Sequence, residues 1–178
     1  QRQMCIRDRM YTDYALGRFF AEASKQPWFA NTIFLITADH CASSAGRTEI
    51  PLEKYHIPAL IYAPGFVEPQ HVGGIVSQID LMPTLLSLLN MSYDSHFYGR
   101  SIYDEGYVNR AFIATYQDLG YLEGDVFTIL SPVRRFEQYR VVPTEDNPHN
   151  LEPMETENPE QVSRAIGYYQ TSSAWNKR

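Results

Sequence analysis

An α/β fold, with helices layered on a sheet and an antiparallel sheet added toward the C-terminus, is what this sequence predicts. Three observations carry that prediction. Thr32–Ala38 is an almost unbroken apolar ribbon rich in β-branched residues, the pattern of a strand buried on both faces, usually a central strand of a parallel sheet. A helix-period segment precedes it and another follows, as in a doubly wound sheet. After Tyr107 the texture changes to short β-branched and aromatic runs joined by turn-length links, which read as an antiparallel meander.

In chain order, residues 1–10 (QRQMCIRDRM) show neither a helical nor a strand period and read as a non-native scar ahead of the domain. Tyr11–Lys25 predicts a helix: Tyr11, Tyr14, Ala15, Leu16, Phe19, Phe20 and Ala23 share a broad face, and Pro27 ends it. Residues 28–31 link it to the ribbon. Cys41–Tyr55 has no period, and a loop of that length in a compact domain usually serves function. Ile57–Ala63 is a second strand, neighbouring the first and stopped by Pro64-Gly65; Val72–Ser77 is a weaker third.

Asp80 reads as the N-cap of a helix in which Leu81, Leu85, Leu88 and Leu89 recur at helical spacing. Pro83 sits in its first turn, where the missing donor costs nothing, and Asn90 ends it. The runs 110–116, 124–130 and 136–142 form the meander, an antiparallel subdomain over about 107–142 on the same core. Residues 144–160, rich in Pro, Glu and Asn, wrap the surface, and 161–175 predict a last helix.

The 178 residues suffice for one domain with a sizeable core, and an apolar fraction of 44% with 13% aromatics is globular in character. A net charge of −6 argues against a nucleic-acid partner, which requires a basic face. A negatively charged substrate would then need a metal or a local basic pocket. Two cysteines, Cys5 and Cys41, set no disulfide framework, and no run reaches the length of a membrane span.

The chemistry gathers where the ribbon ends, at Asp39-His40, because open α/β sheets bind ligands at the carboxyl ends of their strands. A carboxylate with an imidazole suits a borderline divalent ion such as Mn²⁺ or Zn²⁺ better than Mg²⁺. Consecutive residues can face one ion only where the strand breaks into loop. The competing reading is a capping aspartate beside a satisfied histidine. His56, before the second strand, either faces the same site or is structural; His71, in a turn, reads as exposed. Arg47 could hold a phosphate oxygen or be a solvated charge, and Cys41 could be a thiolate ligand or a small buried side chain.

From Tyr11 to about Tyr103 the sequence resembles the C-terminal half of the catalytic domain of the sulfatase/alkaline-phosphatase superfamily. Within it, the chain resembles the lipoteichoic acid synthase-like branch of membrane-anchored phosphotransferases. The matching blocks are YTDYALGRFF (11–20), ITADH (36–40), HIPALIYAPG (56–65) and VSQIDLMPTLL (76–86), followed by GRSI (99–102).

The resemblance implies a three-layer sandwich, with Asp39 and His40 as metal ligands and His56 near substrate or a second metal. It implies a divalent cofactor, Mn²⁺ foremost with Zn²⁺, Mg²⁺ or Ca²⁺ as alternatives. The substrate would be a phosphate or sulfate ester, lipid-linked in the phosphotransferase branch, and the domain would sit outside the cytoplasm on a membrane anchor upstream. The family's threonine or serine nucleophile attacks phosphorus in line and forms a phospho-enzyme that an alcohol or water resolves. No block here matches it, and Thr12 and Thr37 lie in the wrong blocks. By this reading the chain holds half a metal site and is inactive alone. A sulfatase is the rival enzyme, and a non-catalytic sulfatase-fold binding module the rival class.

Overall fold

A computed structural model describes residues 2–40 and 50–175. They form two compact units. The first holds helix α1 (Arg2–Ala23), a 3-10 turn (Phe29–Asn31) and strands β1 (Phe34–Thr37) and β2 (Ala59–Tyr62). The second holds α2 (Leu81–Leu88), strands β3 (Arg110–Ala114), β4 (Leu119–Glu123), β5 (Val126–Ser131), β6 (Arg135–Val141) and β7 (Leu151–Pro153), and α3 (Pro159–Trp175).

In the first unit, α1 begins at Arg2 rather than at Tyr11. Residues 2–10 contain neither Gly nor Pro, so nothing in them interrupts a helix even though they have no apolar period. The predicted apolar face of α1 is mostly exposed; Phe20 is half-buried and Ala23 is buried. Phe19 and Phe20 meet Phe34 of β1 at ring separations of 5.9 and 5.0 Å, and Phe20 and Phe29 meet Tyr62 of β2 at 5.4 and 6.2 Å. Edge-to-face contacts of this kind add to simple area burial.

The two apolar ribbons are neighbours, as the sequence predicts, but their direction differs. β1 and β2 pair antiparallel, with Phe34 opposite Tyr62 and Thr37 opposite Ala59. Nor is either strand buried on both faces: β1 is half-buried up to Thr37, and Leu60 and Tyr62 of β2 are exposed. A continuous apolar run reports tolerance of burial on both faces, not the direction of the neighbouring strand. Pro64-Gly65 turns the chain as expected, with Gly65 at φ 76° and the amide of Phe66 donating to the carbonyl of Ala63.

The second unit is the predicted meander, in the order β3-β4-β5-β6-β7 with every neighbour antiparallel. Two of its strands were not anticipated. β4 carries Gly120, a residue depleted in strands. Here a Cβ at Gly120 would lie 2.8 Å from the Phe127 ring, so the glycine makes room for a core aromatic. β7 is only three residues long and ends in proline. The third predicted strand, 72–77, is absent; Gly73-Gly74 breaks it, Gly74 having φ 86°.

The core of this unit is Ile50, Leu52, Ile113, Leu122 and Phe127, with Ile75 and Tyr139 packed against it. The meander therefore brings its own core. Helix α3 lies on the sheet through buried Val162 and Ala165 and through polar ties. Gln161 donates to the Val126 carbonyl at 2.8 Å, Arg164 donates to Glu123 at 2.8 and 3.0 Å, and the Tyr169 hydroxyl lies 2.7 Å from the Gly120 carbonyl oxygen.

Three phenols of this unit titrate high. Burial raises Tyr107, Tyr121 and Tyr169, Asp80 and Glu123 adding to the first two through hydrogen bonds, and Tyr169 is raised to about 12. The folded form therefore keeps protons that the unfolded chain gives up near pH 10, so stability is fully present below pH 10 and falls as pH rises through the folded values. In urea unfolding series between pH 8 and 11.5, the midpoint is expected to hold to about pH 9.5 and then drop. Tyr169→Phe should shallow that drop.

Candidate functional site

β1 ends at Thr37, and the next residues leave the strand. The Thr37 hydroxyl lies 3.2 Å from the Pro58 carbonyl oxygen and the amide of Ala38 donates to the same carbonyl, so the end of β1 is clamped to the start of β2. This places Thr37 in a structural role. It also fixes where Asp39 and His40 emerge.

The two side chains converge. Asp39 Oδ1 accepts the backbone N–H of His40 at 2.9 Å, and Asp39 Oδ2 lies 3.5 Å from His40 Nε2. Two donors about 2.1 Å from one ion at a tetrahedral angle sit about 3.4 Å apart, so this spacing fits a shared divalent ion. Oδ1 is occupied by the backbone, which orients the carboxylate and presents Oδ2. The pair is open to solvent, Asp39 88% and His40 70% exposed at the side chain, so as an ion pair it adds little stability.

Among the described residues, no group of three or more His, Cys, Asp or Glu is placed to hold a metal. The described residues thus bring together the candidate pair Asp39 and His40 without a third donor of these types. The antiparallel ladder brings the segment before Ala59 to the same end of the hairpin as Asp39 and His40, which puts exposed His56 at that end. His71 is exposed, as expected. Arg47 and Cys41 lie outside the described residues.

Asp80 takes the predicted N-cap position of α2, but its side chain makes no capping hydrogen bond to that helix. It closes a 3-10 turn (Gln78–Asp80), where Ser77 and Asp80 form a capping box, and it is fully buried. Its carboxylate accepts from the amides of Ser77 and Arg100 at 3.2 and 2.8 Å, from the Tyr107 hydroxyl at 2.9 Å, and from Arg110 at 3.2 and 3.4 Å. Arg110, 2% exposed, also donates to the carbonyls of Tyr98 and Val108 and lies within 6 Å of the rings of Tyr107, Phe112 and Tyr168. This acid and arginine form a structural knot rather than a reactive site. Sequence reasoning missed it, although an arginine opening the apolar run Ala111-Phe112-Ile113 was the available signal.

The sequence model of the sulfatase family matches residues 5–91, which span α1, the β1–β2 hairpin and α2. Arylsulfatase K from Gallus gallus is 27% identical over 96 residues, and arylsulfatase K from Canis lupus familiaris 28% over 96 residues, each covering 51% of this chain. The chain spans 18% of the length of these relatives. Among solved structures, a protein in the alkaline phosphatase superfamily from Vibrio parahaemolyticus superposes with a TM-score of 0.80 at 29% identity, covering 94% of this chain and 41% of its own. The α/β fold predicted from sequence is therefore the observed fold, and it is sulfatase-like.

Proposed function

Because the chain carries a sulfatase-family segment over residues 5–91 on a sulfatase-like fold, we propose that it is the metal-binding C-terminal part of a phosphotransferase or phosphodiester hydrolase. The observation that carries this is the convergence of Asp39 and His40, 3.5 Å apart, where β1 ends inside the matched segment. A phosphorus substrate is compatible with the likeness to a protein in the alkaline phosphatase superfamily, which runs through 94% of the chain. The sequence blocks quoted above point the same way. They also support a membrane-anchored, extracytoplasmic enzyme of the lipoteichoic acid synthase-like branch, acting on a lipid-linked phosphodiester. No described helix is itself long and apolar enough to cross a membrane.

Asp39 and His40 would hold the ion, with Mn²⁺ suited to a mixed carboxylate and imidazole set and Zn²⁺, Mg²⁺ or Ca²⁺ as alternatives. Bound there, a divalent cation supplies charge neutralisation to the oxygens of the transferring group. The backbone bond from His40 N–H to Asp39 Oδ1 holds the carboxylate in its presenting rotamer, and the clamp between Thr37 and Pro58 holds the strand end that bears it. His56, at the same end of the hairpin, contacts the ester or a second ion. The nucleophile, a threonine or serine, comes from the upstream part of the domain.

The test joins this chain to the upstream half of such a domain. Asp39→Ala is expected to weaken Mn²⁺ binding, read by calorimetry, by more than about 100-fold and to abolish hydrolysis of bis(p-nitrophenyl) phosphate. Unchanged Mn²⁺ affinity would remove Asp39 from the site. A second reading, a sulfatase, is favoured by the two arylsulfatase K relatives. Turnover of an aryl sulfate with none of the phosphodiester would establish it in place of the first.

A further inference from the structure

We propose that the β3–β4 and β5–β6 tips of the five-stranded sheet form a docking edge for an anionic phospholipid surface. Both tips lie at the same end of the meander, with β4 and β5 between them. The Ser131 hydroxyl donates to Asp118 Oδ1 at 2.7 Å, tying one tip to the other. The two most exposed large apolar side chains among the described residues sit on these tips: Tyr116 at 101% and Val133 at 90%, against 73% for the next, Tyr11. Single exposed apolar residues are ordinary, but a pair at the extreme of exposure, held together at one edge, is not.

The backbone adds a second observation. Val133 and Arg134 both adopt positive φ, 63° and 57°. Glycine or asparagine is the usual occupant of such positions, and a β-branched residue there is strained. A cheaper turn was available, so the strained one is explained by what it presents. It projects Val133 outward and sets exposed Arg134 and Arg135 beside it. Neither arginine forms an ion pair among the described residues, and the only carboxylate tied to the tips, Asp118, is engaged by Ser131. Behind the tips a half-buried row of Leu119, Leu130 and Phe136 runs across three strands.

Charge complementarity selects the partner. In a chain of net charge −6, a paired cation beside a tyrosine and a valine matches anionic headgroups over an acyl boundary. Tyrosine suits that interface because one end of its ring is apolar and the other wet.

The experiment is co-sedimentation of the 178-residue chain with vesicles of phosphatidylcholine alone and with one-third phosphatidylglycerol. Uptake is expected on the anionic vesicles only, and should fall with salt. Arg134→Gln with Arg135→Gln should weaken it about 30-fold. Tyr116→Ser and Val133→Gly should each weaken it, with far-UV circular dichroism unchanged because these side chains pack on nothing; Val133→Gly also relieves the turn. Equal uptake by neutral vesicles, no uptake, or indifference to the arginine pair would overturn the proposal. So would capture by soluble heparin without uptake by vesicles, which would make the edge a polyanion site.

Discussion

Asp80→Ala is expected to cost about 3–5 kcal/mol, enough to unfold much of the second unit in a domain whose whole stability is of order 5–15 kcal/mol. The magnitude follows from what the substitution leaves behind. Arg110 is 2% exposed and its guanidinium faces Asp80 at 3.2 Å. Without the carboxylate it is a buried cation whose Nε already lacks a partner among the described residues. The amides of Ser77 and Arg100 lose their acceptor at the same time. Removing one member of a buried pair costs far more than removing both. Arg110→Met should therefore be the milder change, since Asp80 keeps the Ser77 and Arg100 amides and the Tyr107 hydroxyl. The double variant Asp80→Ala with Arg110→Met should be more stable than Asp80→Ala alone. Urea unfolding followed by far-UV circular dichroism gives all three values. A cost below about 1 kcal/mol for Asp80→Ala would mean that water reaches the site and that the knot is peripheral.

This knot marks the boundary of what the sequence reveals. Local patterns were read well. The apolar ribbons at 32–38 and 57–63 became neighbouring strands, the runs after Tyr107 became a meander, and 161–175 became a helix. Each of these depends on periodicity within a window of a few residues. The direction of β2 against β1 was not readable, because apolar content says how much a strand is buried and not which way its partner runs. β4 was hidden by Gly120, which weakens a strand signal but makes space for Phe127, a packing need that local pattern does not carry. The helix before Tyr11 was hidden for the opposite reason: it has propensity without an apolar face. Asp80 and Arg110 lie thirty positions apart, and nothing local couples them. The candidate pair Asp39 and His40 is of the kind local reading can pick out, because the two are adjacent and follow a strand. Among the described residues no third His, Cys, Asp or Glu joins them, and Arg47 and Cys41 fall outside those residues.

Gly99→Ala tests the same knot from its other side and should be nearly as costly. A Cβ at Gly99 would lie 2.0 Å from the carbonyl oxygen of Ile79, 2.5 Å from its carbon and 3.0 Å from the Asp80 nitrogen. These are backbone atoms of the turn that carries Asp80, so no rotamer change can relieve the clash. Either the turn or the segment of Gly99 must move. Moving either one stretches the bond from the Arg100 amide to Asp80 Oδ1, now 2.8 Å, and shifts the Tyr98 carbonyl away from Arg110. Overpacking of this kind costs about 1–3 kcal/mol, and a hydrogen bond to a charged group adds roughly 1.5–3 kcal/mol. A loss of about 3–5 kcal/mol is expected. Gly167→Ala is the control in the same unit: it lies within α3, its Cβ meets nothing within 4 Å, and it should stabilise by up to about 1 kcal/mol. Hydrogen exchange separates a local from a global effect. In Gly99→Ala the Arg100 amide should lose protection before the amides of β5 do, because the clash acts on the turn and reaches the sheet only through Arg110. Full protection of Arg100 in that variant would show that the turn yields without disturbing Asp80, and the glycine would then owe its place to the chain path alone.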